Sequence, residues 1–153
     1  MPIMIYDLPF VDGRSNAHSR SNLPVIRVQA FSMMSPDFKI DARALLDTGS
    51  EVSFVDRKLI RELEARSGIM LPVHQDVVVG WDVVRAPSIC PFFDVSLLLG
   101  DSYVFGGRSG LAAPSDWRWP DVADIIVGYD ILRQLRVTFD GPNSTISITD
   151  SMR

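Results

Sequence analysis

The chain has 153 residues, of which 46% are hydrophobic, and a formal net charge of -4 at pH 7. This length is usual for one domain, and the apolar fraction is ample for a buried core. The basic residues are scattered along the chain, whereas neutralising nucleic-acid phosphates needs a concentrated basic surface. We therefore expect one domain without a nucleic-acid partner.

The N-terminal residues lack the features of an export signal. They carry no charged region followed by a long apolar one, and no stretch of the chain reaches the roughly 18 apolar residues of a membrane span. The single cysteine, Cys90, cannot close an intrachain disulfide and has no second cysteine for a metal site, so we interpret it as a buried small hydrophobe. We expect an intracellular, cytoplasmic or similarly reducing location and no membrane association.

The polar character of residues 12–22 divides the chain into two regions, an N-terminal segment and a folded domain. Residues 1–22 are expected to form a short apolar strand and a polar arm, because residues 12–22 are polar, turn-forming and free of branched aliphatic side chains. The folded domain is then expected over residues 23–153. It opens with two strands of alternating apolar and polar residues, at 24–31 and 39–46.

One long helix is predicted over residues 57–67, with Asp56 as its N-cap and Gly68 at its end. Short strands are expected around it, at 52–55, 73–79, 83–90, 92–99, 103–105, 124–127, 137–140 and 145–149. The stretch 106–123 is rich in glycine and proline, which favours a long loop. Many short strands separated by turns indicate a mainly β domain, a small barrel or a sandwich.

The predicted strand 39–46 runs directly into Asp47-Thr48-Gly49-Ser50. A carboxylate mounted on a tight turn needs a glycine where backbones approach closely, and nearby hydroxyls can orient it. The tetrapeptide alone is a weak signal, because Asp-Ser/Thr-Gly occurs by chance in roughly one chain in fifteen of this length. An ordinary polar turn is the alternative.

A second segment, residues 124–135, supports the interpretation of Asp47-Thr48-Gly49-Ser50 as an active-site loop. Residues 124–135 read as an apolar strand, then Gly128, then a short helix. Together, residues 44–50 and 125–135 resemble the retropepsin-like aspartic proteases, the family of the retroviral proteases, in which an Asp-Thr/Ser-Gly loop is cradled by a later apolar-apolar-Gly segment followed by a helix. The resemblance covers roughly residues 23–149, and residues 136–140 and 144–148 look like the closing strands of these proteins.

This resemblance implies a fold and a set of roles. The fold would be a small closed acid-protease β-barrel with one longer and one short helix, a single lobe that acts as a homodimer. Asp47 would be the catalytic acid and base. Within the loop of Asp47, Thr48 would link the two active-site loops, Gly49 would allow the close approach of backbones, and Ser50 would hydrogen-bond the carboxylate. Gly128 would fill the space beneath this loop, and Ile126 and Val127 would supply its apolar packing.

The chain holds one Asp-Thr-Gly motif, so a complete site would require two chains. Two facing carboxylates cannot readily both ionise, and the pair would activate a water for attack on a peptide bond of an extended polypeptide. The N-terminal residues 3–5 and the strand 145–149 are candidates to complete the interface. A catalytically inactive module of the same fold, serving dimerisation or peptide binding, is the alternative.

The resemblance also calls for a flap over the substrate, and Gly80, Trp81 and Asp82 are the candidates, by their position after the helix. The glycine-rich residues 106–110 lie too close to Gly128 for the family order. We expect no metal and no cofactor, because the two histidines have no cysteine partner and no neighbouring His-Glu pattern. The other acidic residues near Gly128 are expected to be solvated, namely Asp121, Asp124 and Asp130.

Overall fold

The computed structural model describes residues 4–9, 23–78, 87–100, 103–105 and 110–150. Over these residues the chain is mainly β, as the sequence predicted. The strands are β1 (Met4–Pro9), β2 (Val25–Ser32), β3 (Ser35–Leu46), β4 (Phe54–Val55), β5 (Val73–Val78), β6 (Ser88–Phe93), β7 (Ser96–Leu99), β8 (Tyr103–Phe105), β9 (Leu111–Ala112), β10 (Ile125–Val127), β11 (Leu135–Asp140) and β12 (Thr145–Asp150). The helices are α1 (Arg57–Ser67) and α2 (Tyr129–Leu132).

The strands form two sheets. The smaller has the order β1-β12-β11, and the larger has the order β5-β6-β9-β4-β10-β3-β2-β7-β8. Strand β10 lies inside the larger sheet, parallel to β3 on one side and antiparallel to β4 on the other. This placement brings the apolar segment before Gly128 beside β3, the strand that leads into Asp47.

No closed barrel is found among the described residues, in contrast to the expected fold. The larger sheet is open, with β5 at one edge and β8 at the other. Each of these edge strands has its single partner in an antiparallel pair, β5 with β6 and β8 with β7. In the part of the chain that the structure describes, no ladder joins the two edges.

The helix α1 has the predicted bounds, and its ends show why. The Asp56 side chain accepts a hydrogen bond from Lys58 N at 3.0 Å, which satisfies one of the free amides of the first turn. Gly68 ends the helix in the left-handed region, with φ 70°, and its amide donates to Glu64 O. Leu59, Ile60 and Leu63 are buried in the main core.

The core has a main cluster and two smaller ones. The main cluster joins the inner face of β2 and β3 to α1, β7 and β12. A second cluster lies under β5 and β6 and includes Phe54, Val78, Cys90, Phe92 and Ile126, with Trp117 packed against it. Since Ile126 belongs to β10, this second cluster adjoins the Asp47 loop.

Strand boundaries near Pro91 differ from the prediction. Two strands separated at Pro91 were expected. In the structure, β6 continues through Pro91, and residues 94 and 95 separate it from β7. The proline is tolerated because its missing amide is not required for pairing with β5, as the hydrogen-bond pattern described below shows. The expected loop 106–123 also contains the two-residue strand β9, which pairs with β4 and β6.

Candidate active site

The Asp47 loop is held by backbone contacts at the end of β3. Asp47 N donates to Val127 O at 2.9 Å, so the residue is tied to the neighbouring strand β10. Gly49 N donates to Asp47 Oδ1 at 2.9 Å, and Ser50 N donates to Asp47 O at 3.2 Å. Asp47 is half-buried, whereas Thr48 and Gly49 are exposed. The loop therefore presents an oriented carboxylate at the surface of the single chain.

A glycine is required at position 128 because the neighbouring backbone leaves no room for a Cβ atom, and not because of its backbone conformation. A Cβ atom at this position would lie 2.3 Å from Val52 O and 2.8 Å from Ser50 O. Its φ of -92° is open to any residue. The close approach lets the following helix bond the loop, because Tyr129 N donates to Ser50 O at 2.6 Å and Asp130 N donates to Glu51 O at 3.2 Å.

Ser53 and Asp130 connect the two segments, and sequence reasoning missed this pair. The fully buried Ser53 hydroxyl accepts from Gly128 N at 2.9 Å and donates to Asp130 Oδ1 at 2.7 Å. Ser53 N also donates to Asp130 Oδ2 at 3.2 Å. Asp130 is thus a half-buried acceptor and not a solvated side chain. The available signal was an acidic residue in the first turn of a helix that follows a glycine.

Ser50 makes a different bond from the one that the resemblance implied. Its hydroxyl donates to Val52 O at 2.7 Å, inside the loop, instead of to the Asp47 carboxylate. Ile126 and Val127 are buried, on opposite faces of β10, in the second and the main cluster. The residues of the two motifs are therefore brought together, with Ser50 as a support of loop shape.

Asp124 was expected to be solvated, and this expectation is wrong. The side chain is only 7% exposed, and its Oδ2 accepts from Arg43 N at 3.0 Å. The backbone of Asp124 bonds Arg43 O and Asp56 N, both at 2.9 Å. Asp124 therefore joins β3 to the start of α1, and Asp121 alone of the three acidic residues is exposed.

The flap candidates Gly80, Trp81 and Asp82 lie outside the described residues. The strands that precede and follow them, β5 and β6, pair antiparallel from Val73 opposite Phe93 to Val78 opposite Ser88. Val78 packs in the same cluster as Ile126. The end of β5 therefore packs in the cluster that contains Ile126 of β10, the strand beside the Asp47 loop.

Other chemistry finds little support near this site. Burial raises the pKa of the Cys90 thiol, against smaller lowering effects from the Arg57 guanidinium and a hydrogen bond with the Ala113 backbone, so the thiol stays protonated near neutral pH. Among the described residues, no cluster of three or more His, Cys, Asp or Glu side chains could hold a metal. No helix in the described ranges has the length and apolar character to cross a membrane.

In comparisons with known proteins, no family model and no curated protein matches the chain.

Proposed function

We propose that the chain is an aspartic endopeptidase whose catalytic carboxylate is Asp47. The observation that carries this proposal is that two hydrogen bonds fix the position of Asp47. Its amide donates to Val127 O, and its Oδ1 accepts from Gly49 N. A catalytic group must be held in one geometry, and here backbone groups of two elements hold it. Gly128 supports the same arrangement, because only a residue without Cβ fits beneath the loop.

The active species is a homodimer. The chain supplies one Asp-Thr-Gly motif, and acid and base catalysis on one water needs two carboxylates, so the site lies on a two-fold axis between two Asp47 side chains. Thr48 is exposed in the single chain and is free to face its counterpart across that axis.

The reaction follows from the pairing of carboxylates. At short separation one carboxyl keeps its proton and the other ionises, and the pair holds a water. The ionised group removes a proton from this water as it attacks the peptide carbonyl, and the protonated group donates to the carbonyl oxygen. A tetrahedral diol forms without a covalent enzyme intermediate. The substrate is an extended polypeptide, and no metal or cofactor takes part.

A second candidate is a catalytically inactive module of the same fold that binds peptides or dimerises. It is favoured by Ser50, whose hydroxyl is bonded to Val52 O and does not orient the Asp47 carboxylate. An active enzyme and an inactive module differ in one measurable property, the hydrolysis of peptide bonds.

The test is digestion of a broad peptide library by the wild type and by Asp47→Asn. We expect cleavage by the wild type and its loss, by at least a thousandfold as an order of magnitude, in the variant, which keeps the size of the side chain and removes its charge. Asp37→Asn is the matched control, because Asp37 is an exposed residue of β3, the strand that leads into Asp47. Circular dichroism checks that both variants fold. Cleavage by Asp47→Asn at the wild-type rate would falsify the assignment, and a folded wild type without cleavage would favour the inactive module.

A further inference from the structure

Among the strands that the structure describes, β5 forms one edge of the larger sheet and has no partner on its outer side. It is the terminal strand in the order β5-β6-β9, and its first five residues are all exposed. Val73 is 53% exposed and Val77 is 55% exposed, and Ile89, opposite Val77 on β6, is 75% exposed. Natural edge strands are commonly protected by charged side chains, above all lysine, by proline or by a bulge. Residues 73–78 contain no lysine, proline or bulge, and their one acidic side chain is Asp76.

The hydrogen bonds show which backbone groups of β5 face outward. Asp94 N donates to Pro72 O, so the even-numbered positions bond toward β6. Ala113 N donates to Pro91 O, so Pro91, which lies opposite Gln75, faces β9. Val77 N donates to the Asp76 side chain at 2.7 Å. Because the direction alternates along a strand, the amides and carbonyls of Val73, Gln75 and Val77 face the open edge.

We infer that β5 is a self-association surface, which pairs antiparallel with β5 of a second copy of this chain about a two-fold axis at Gln75. The sequence Val73-His74-Gln75-Asp76-Val77 is self-complementary when read in opposite directions. Val73 then faces Val77 of the second copy, His74 faces Asp76, and Gln75 faces Gln75. The outward backbone groups of the three odd-numbered residues supply the ladder bonds, and the Val77 amide exchanges its bond to the Asp76 carboxylate for one to the Val73 carbonyl of the second copy.

The geometry of the ladder suits a hydrogen bond between the His74 imidazole and the Asp76 carboxylate of the second copy. His74 and Asp76 occupy the positions without ladder hydrogen bonds, where opposed side chains are closest. The His74 ring is stacked on Phe92, with centroids 5.3 Å apart, which holds it on this face of the sheet. On the other face, each pair of valines meets beside Ile89. The pairing thus buries valine side chains on one face of the sheet and joins an imidazole to a carboxylate on the other.

The register identifies a second copy as the partner. If the pairing slid by one ladder step in either direction, Asp76 would face Asp76 or His74 would face His74. Two carboxylates directly opposite one another destabilise a sheet, and two facing imidazoles both lose the carboxylate as acceptor, so one register is selected. This interface uses neither Asp47 nor the motif loops, and it goes beyond the proposed function as a separate contact between chains.

Cross-linking tests the predicted axis. Residues that face one another in a hydrogen-bonded pair have Cα atoms about 5.5 Å apart, within the roughly 4.4–6.8 Å that a disulfide spans. We expect Gln75→Cys to form a reductant-sensitive dimer under mild oxidation, with Asp47→Asn in the same chain making no difference. Glu62→Cys, on the exposed face of α1, is the matched control and should stay monomeric on a denaturing gel. Equal cross-linking of both variants, or none at Gln75→Cys, overturns the inference.

Charge exchange tests the register. In sedimentation equilibrium, His74→Asp and Asp76→His should each weaken β5 association by roughly tenfold or more, because both imidazole–carboxylate pairs of the interface are replaced by two facing carboxylates or two facing imidazoles. The double variant restores the imidazole–carboxylate pairs and should recover most of the loss. Gln75→Pro, which removes an outward amide, should abolish the association with little effect on the fold. A double variant no better than the single ones, or a wild type that associates no more strongly than Gln75→Pro, contradicts the proposed pairing.

Discussion

At the scale of single residues, the Ser53 hydroxyl serves both halves of the candidate site. It accepts from Gly128 N and donates to Asp130, while Gly128 lies against the loop that carries Asp47. The motif residues Asp47, Thr48, Gly49 and Gly128 could be found from the sequence because each motif is local. The Ser53 and Asp130 pair could not, because its partners are 77 positions apart and meet only through the sheet.

Ser53→Ala tests this connection. The change leaves the buried Gly128 amide without its acceptor and removes a donor to Asp130, so we expect a loss of about 1–3 kcal/mol in the free energy of unfolding. Cleavage should fall as well, since the loop loses its support. Ser67→Ala is the control, because that hydroxyl bonds only the backbone of Ile69, away from the site. Urea denaturation and peptide cleavage measure both effects, and equal losses for the two variants would argue against a role of Ser53 in the site.

At the scale of elements, three-residue β10 determines the site through its position between β3 and β4. Its parallel pairing with β3 brings Val127 beside Asp47 and directs the chain into Gly128. The helix α1 was predicted correctly because its cap and its terminal glycine are local signals. The boundaries at Pro91 and the strand β9 were not, because the hydrogen-bonding side of a proline and a two-residue strand depend on neighbouring strands.

Gly128→Ala tests the close approach between these elements. The added Cβ would lie 2.3 Å from Val52 O, a backbone atom, so the loop or β10 must move. We expect destabilisation of roughly 1–3 kcal/mol or more and loss of cleavage. Gly141→Ala is the matched control, because a Cβ there meets nothing within 4 Å and the φ angle is not in the left-handed region. Thermal unfolding of the two variants compares them directly, and a Gly128→Ala protein as stable and active as Gly141→Ala would exclude the tight contact.

At the scale of the whole molecule, we propose two surfaces at which copies of the chain associate. The proposed catalytic interface centres on Asp47 and the exposed Thr48. The terminal strands expected to complete it are already paired within one chain, since β1 and β11 flank β12. A partner could therefore add only at the outer edge of β1 or of β11 in this smaller sheet. The β5 edge is the second surface, and it lies in the other sheet.

Dilution and subunit mixing test the catalytic interface apart from β5. In a Gln75→Pro background, which removes the proposed β5 contact, cleavage per chain should fall as the protein is diluted through the dissociation constant of the dimer. Addition of Asp47→Asn chains should inhibit the wild type, because a mixed dimer holds only one catalytic carboxylate. With equal amounts and free exchange, about one quarter of dimers remain fully wild type. Asp37→Asn chains, which keep Asp47, should not inhibit. Sedimentation velocity run on the same dilution series reports the mass of the active species, and full activity per chain in a monomer would require a mechanism with a single carboxylate.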